Sequence, residues 1–332
     1  MRWMVLVPGL LASACAASGD TTSSIDNNAP APSASGGHDP NAPAFTGGAS
    51  DAAPSAGGKT ILYAHTDTTL FQLDPDNLTA PMVTIGDFDC VTGASGSSMT
   101  DVAVAKDGKL FGVSEVAAYP LIVQGKTVHC DATWALPSNA KFYGLTMAPE
   151  NTVAATEVLI GANGAGELFQ IDATTGHTTQ VGTLGLDAQG NPYELSGDIV
   201  FLANGGSPIG FATVRTCVPG KHGKAPTCSS SDTLIEVDVK AIHAGTQSVL
   251  KSTRGQVKKG AWCTNPASPV EFGSMFGIAA FKDKVYGFSR KGDFIEVHND
   301  DGSGCLISAS PQNKFAGAGV TTSAPVVAPT PR

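Results

Sequence analysis

The sequence predicts an all-β fold, a five-bladed β-propeller whose first blade is completed by the last strand of the chain. Three observations predict it. Charged residues are only 15% and aromatic residues 7% of 332, beside 39 Gly and 21 Pro. That is the profile of a turn-rich β protein. A short apolar motif returns along the chain at an even spacing. The first repeat lacks one strand, and the far end of the chain supplies one.

The repeat carries most of the weight. Leu70-Phe71-Gln72-Leu73-Asp74 returns as Leu168-Phe169-Gln170-Ile171-Asp172, then as Leu234-Ile235-Glu236-Val237-Asp238 and Phe294-Ile295-Glu296-Val297-His298. A weaker copy, Tyr119-Pro120-Leu121-Ile122-Val123, lies halfway between the first two. The implied unit is roughly 49 residues, the size of a large propeller blade.

Each copy has a short apolar strand upstream, such as Ile61-Leu62-Tyr63-Ala64 or Val285-Tyr286-Gly287-Phe288. Before that strand comes another, such as Gly144-Leu145-Thr146-Met147 or Gly277-Ile278-Ala279-Ala280, and downstream lies a fourth, such as Met82 to Gly86. Each unit therefore reads as a meander of inner, second, third and outer strands. Lys59 opens directly into a second strand, and Gly317-Ala318-Gly319-Val320-Thr321 supplies the missing inner one. Such closure removes exposed sheet edges. Short alternating strands would also suit a sandwich or barrel; the even spacing and the split first unit favour the propeller.

Ile171-Asp172-Ala173-Thr174-Thr175-Gly176 resembles the repeat of bacterial propellers of the form leu-tyr-x-ile-asp-x-x-thr-gly. The resemblance extends over residues 59–322 and implies fold, not function. It departs from the quinoprotein repeat, because Gln180 stands where the docking tryptophan would be. No cofactor is expected.

The propeller is preceded by two segments of different character. Arg2 and an apolar run from Trp3 to Leu11 lead to Ala12-Ser13-Ala14-Cys15, so residues 1–14 read as a signal peptide. Small residues directly before a cysteine resemble the lipobox of bacterial lipoproteins, which implies lipidation at Cys15 and a membrane anchor. Ala12 occupies the place where that motif carries Leu, and plain cleavage after Ala14 is the alternative. Residues 15–58, rich in Ala, Ser, Gly and Pro, read as a disordered tether, and residues 323–332 as a disordered tail. The expected location is the cell envelope, facing the periplasm or the exterior.

Seven cysteines leave six when Cys15 is the anchor. The strand assignment puts Cys90 and Cys130 at the outer edges of the first two units, and Cys263 and Cys305 at those of the last two. Those pairs would bridge neighbouring blades, and Cys217 with Cys228 would close a loop. An oxidising compartment follows. No Cys-x-x-Cys or His-x-x-x-His spacing points to a metal, and none is expected. The remaining histidines, including His65 and His298, are scattered and read as exposed. Asp300-Asp301-Gly302-Ser303-Gly304 lacks the ligand series of a calcium loop and reads as a hairpin turn.

A net charge of −9 argues against a nucleic-acid partner. Two features are candidates for binding. Asp101 and Asp198 open inner strands where other units carry Gly, so a carboxylate pair could stand at the channel mouth and bind a cation or act as acid and base; capping of local backbone is the plainer role. Lys221, His222 and Lys224 form a basic tip on the loop from Cys217 to Cys228. No nucleophile elbow, phosphate loop or dinucleotide fingerprint occurs, and no catalytic residue is assigned. The expected function is a lipid-anchored binding or scaffolding module for an unknown protein or small molecule. The alternative is a propeller hydrolase or lyase using the acidic pair.

Overall fold

In a computed structural model, residues 59–94, 96–137, 141–218 and 226–327 are described. The signal peptide, the tether, Cys15 and the tip residues Lys221, His222 and Lys224 lie outside them.

The first sheet begins with β1 (Leu62–Thr66), β2 (Thr69–Leu73) and β3 (Val83–Phe88). The chain continues through β4 (Met99–Val104), β5 (Leu110–Ser114), β6 (Ala117–Gln124), β7 (Thr127–Cys130) and the short β8 (Trp134–Ala135). The next sheet holds β9 (Phe142–Ala148), β10 (Val158–Asn163), β11 (Glu167–Ile171) and β12 (Thr178–Thr183). A third is built from β13 (Tyr193–Leu202), β14 (Ile209–Val218), β15 (Thr227–Cys228) and β16 (Thr233–Val237), completed by β18 (Leu250–Gln256). β17 (Gly245–Ser248) leaves this sheet and joins β12. The last sheet is β19 (Met275–Phe281), β20 (Lys284–Ser289), β21 (Asp293–His298) and β22 (Gly304–Ala309). β23 (Phe315–Val320) ends the strand order.

β23 returns to the start of the chain. It pairs antiparallel with β1, Leu62 opposite Val320 and Ala64 opposite Ala318. The innermost strands β4, β9, β13, β19 and β23 pack side by side in a closed cycle, giving a propeller-like ring. They are buried on both faces, so they read as continuous small and apolar runs rather than as alternation; Phe-Ala-Gly-Ala-Gly-Val of β23 is buried throughout. Crowding is greatest here. A Cβ on Gly277 would lie 2.4 Å from the carbonyl carbon of Gly317, so β19 and β23 meet backbone to backbone.

The sequence leads one to expect separate four-stranded units, and the structure instead has sheets joined at the rim. Parallel rungs Asp87–Thr127 and Phe88–Val128 fuse the units of β3 and β7 into one nine-stranded sheet. β17 lies parallel to β12 in the same way, and Lys259 forms a parallel bridge to Gly304 at the start of β22. Two of these seams carry a disulfide, Cys90–Cys130 and Cys263–Cys305, and Cys217–Cys228 closes the loop between β14 and β16. The expected pairing is therefore the one formed.

Between neighbouring sheets the core is a series of face-to-face contacts. Phe142, Leu145, Leu159 and Ile171 pack against Ala103, Val113 and Leu136 at one junction. Phe201, Ile199, Val214 and Ile235 meet Ile160, Leu168 and Val181 at the next. Each such large side chain taken fully from water contributes about 1.5–3 kcal/mol. Beyond β23 the chain stays against the ring through the described residues 323–327. Ala324 is buried, and Lys282 N donates to Pro325 O at 2.7 Å, because Val326 forms a bridge beside β19.

Candidate functional site

All inner strands run in the same sense round the ring. The connections that enter them, and the turns between second and third strands, therefore collect on one face. The start of each inner strand is also on that face.

Asp101 of β4 and Asp198 of β13 come together, though not at an open mouth. Both are fully buried, and their carboxyls hydrogen-bond one another across β9. Asp101 Oδ2 accepts from Leu145 N of β9, and its Oδ1 accepts from Ala318 N of β23 at 3.1 Å. Asp198 Oδ2 accepts from Ile278 N of β19 at 2.9 Å, and Oδ1 from Ile199 N at 2.5 Å. The pair thus tethers neighbouring inner strands. Thr213 works alongside it: its Oγ1 accepts from Asp198 N and donates to Met275 O.

Burial raises both carboxyls above the usual carboxylate range; for Asp101 the neighbouring Asp198 adds to the effect. Two adjacent carboxylates in a dry interior cannot both ionise, so the pair retains a proton. The expectation of an exposed acidic pair at the channel mouth is corrected on this point. The inner strands close over the pair, leaving it no path to a substrate in this conformation.

His65 was read from sequence as exposed and is instead fully buried beside this pair. Its Nδ1 donates to Thr66 O at 2.8 Å, and its Nε2 lies 3.9 Å from Asp101 Oδ1 with no hydrogen-bond partner. Desolvation pushes its pKa down to about 4, against smaller opposing effects of the Thr66 carbonyl and Asp67. The signal was in the strand: His65 follows Tyr63 and Ala64 on β1, the strand that the chain end covers.

Above the buried cluster, on the face of the inner-strand starts, a hollow of 200 Å³ is lined by Thr100, Glu115, Tyr143, Phe276, Arg290 and Ala316, among others. Its charged groups are paired across strands. Arg290 Nη1 meets Asp67 Oδ1 at 2.7 Å and its guanidinium lies 5.2 Å from the Phe276 ring centre. Glu115 accepts from Tyr143 Oη at 3.3 Å and pairs with Lys141 at 2.9 Å. A cation, Arg290, and an anion, Glu115, thus both line this small hollow. The residues Glu115, Tyr143 and Arg290 do not stand out in the sequence, because none belongs to a motif.

The root of the stapled loop is on the same face, with Val218 opposite Thr227 beyond the disulfide. The opposite face has a hollow of 320 Å³ lined by Lys106, Glu150, Glu157, Lys240 and Thr322, among others. There Glu157 accepts from Lys106 N at 2.9 Å and from the Thr322 hydroxyl, so it is committed to the strand ends.

No family model matches the chain, and no curated protein sequence matches it. Solved structures are similar to it at low identity. BamB from Moraxella catarrhalis is 13% identical, with a TM-score of 0.29 over 79% of this chain and 73% of that one. A protein of unknown function from Bacteroides caccae is 9% identical, with a TM-score of 0.41 over 79% of this chain and 99% of that one.

Proposed function

We propose that this chain is a five-bladed propeller, exported and lipid-anchored at Cys15, that acts in the cell envelope as a binding or scaffolding module. In this reading the nine-stranded sheet counts as two blades fused at the rim, and residues 15–58 space the ring from the membrane. The partner docks on the face where the inner strands start.

One observation carries the choice of face. Val116, Leu186 and Val270 lie on connections at that face and Val218 ends β14 there, and all four are 53–75% exposed. Apolar side chains left in water around a charged opening are the composition of a recognition surface rather than of a solvated rim. Asp101 and Asp198, which a hydrolase or lyase would need, are better accounted for as part of the scaffold.

The test is site-specific photocrosslinking in intact cells of the source organism. A photoreactive residue at Val116 or Val270 should give a discrete adduct, and one at Val83, at the other end of the strands, should not. Equal labelling from all three positions, or none, would remove the reading. The anchor is tested by fractionation: Cys15→Ser should move the protein from the membrane to the soluble fraction.

A further inference from the structure

We propose that the hairpin joining β21 to β22 holds a first-row divalent transition-metal ion through His298, Asp300 and Asp301. Each residue offers one ligand atom, and the three atoms lie within 4.8 Å of one another. Small side-chain rotations then place one nitrogen and two oxygens on a single ion at about 2.0–2.2 Å.

The imidazole is already held as a ligand would be. His298 Nε2 lies 3.4 Å from Glu296 Oε1, and Glu296 is paired with Lys284. A carboxylate beside one ring nitrogen is the usual partner of a histidine that binds metal, since it fixes the ring and raises its basicity. The ring also stacks on Trp262, 3.9 Å between centres and 7° from parallel. Trp262 in turn donates from Nε1 to Ser303 Oγ at 2.8 Å, beside the Cys263–Cys305 bridge. Ordering costs that a flexible site would incur on binding are therefore already met.

A separate observation in the same loop points the same way. Asn299 is only 7% exposed, and its Oδ1 is a buried acceptor with no hydrogen-bond donor. Asn299 lies between His298 and Asp300 in the chain, and a buried carbonyl oxygen without a donor suits a cation and disfavours an anion. Asp300 and Asp301 themselves are exposed, which leaves an entry path and room for water ligands. The imidazole selects zinc, cobalt or nickel over calcium. The usual spacing rules miss the site because its donors sit within one hairpin, as His-x-Asp-Asp.

The test is calorimetric titration of the untagged full chain, disulfides intact, with Zn²⁺ at pH 7.5, followed by Ca²⁺. One site is expected, with Ca²⁺ at least tenfold weaker. His298→Ala should weaken Zn²⁺ at least tenfold, and Asp300→Asn, which leaves the Trp262 stack in place, should weaken it too. With Co²⁺ as probe, the wild type should show a visible ligand-field band that His298→Ala lacks. Titration of His298→Ala indistinguishable from wild type, or equal Zn²⁺ and Ca²⁺ affinity, would mean a diffuse carboxylate effect and overturn the proposal. Absence of binding would do the same.

Discussion

Asp101 and Asp198 share a hydrogen bond at the centre of the ring, each fully buried and each also bound to the backbone of a neighbouring inner strand. The pair is therefore a mechanical part, and its substitution should be read in stability. Asp101→Ala strands the N–H groups of Leu145 and Ala318, at about 1–3 kcal/mol for each buried unsatisfied group. Asp101→Asn keeps one carbonyl acceptor but turns its amide donor on the other N–H, so it should recover only part of that loss. Urea unfolding of the two variants decides; an Asp101→Ala variant as stable as the wild type would contradict the tethering role.

Acid and base should act on the centre through different groups. His65 has a pKa depressed to about 4, below its ordinary 6.5. Its contribution is present above pH 6.5 and lost as the pH falls through the folded value. The acidic pair is raised instead. Its contribution is full below the ordinary carboxylate range and is lost as the pH rises through the raised value. Relative to wild type, His65→Gln should lose the rise in urea midpoint from about pH 4 to 6.5, and Asp198→Asn the opposing fall from the ordinary carboxylate range up to about 7.

The glycine opposite His65 should tolerate nothing larger. A Cβ on Gly317 would lie 2.2 Å from His65 Nε2 and 2.3 Å from Asp101 Oδ1. Gly317→Ala should therefore lower the melting temperature by about 5–10 °C, the effect of roughly 3 kcal/mol. Gly125→Ala, at a turn with nothing within 4 Å but φ of +64°, is the control. It should cost only about 1 kcal/mol.

The rim bridges should matter more than the loop bridge. Cys90–Cys130 and Cys263–Cys305 span 40 and 42 residues, and Cys217–Cys228 spans 11. Loop-closure entropy assigns about 4 kcal/mol to each long span and about 3 kcal/mol to the short one. Paired Cys→Ser variants, compared by urea midpoint, should follow that order.

The parts legible in the sequence were those that repeat. The quintets at Leu70, Leu168, Leu234 and Phe294 fall on β2, β11, β16 and β21, and the closing strand is where Gly317 to Thr321 placed it. The rim seams were not legible as parallel pairings. β17, Gly-Thr-Gln-Ser, is four residues long, three of them exposed, and carries no apolar period. The acidic pair was legible as a pair but not as interior, since an aspartate at a strand start reads as a turn residue. Glu115, Tyr143 and Arg290 could not be grouped beforehand, because only the ring brings two distant turns and the start of β9 to one opening.

β23 is the final strand to be made, yet its partner β1 is the first. Until some 260 further residues have followed β1 out of the ribosome or translocon, that strand keeps one naked edge. Assembly of the ring is thus a late, all-or-none event that no nascent fragment can anticipate. A chain cut short after Asn313 should emerge sticky and protease-sensitive, however sound its other strands.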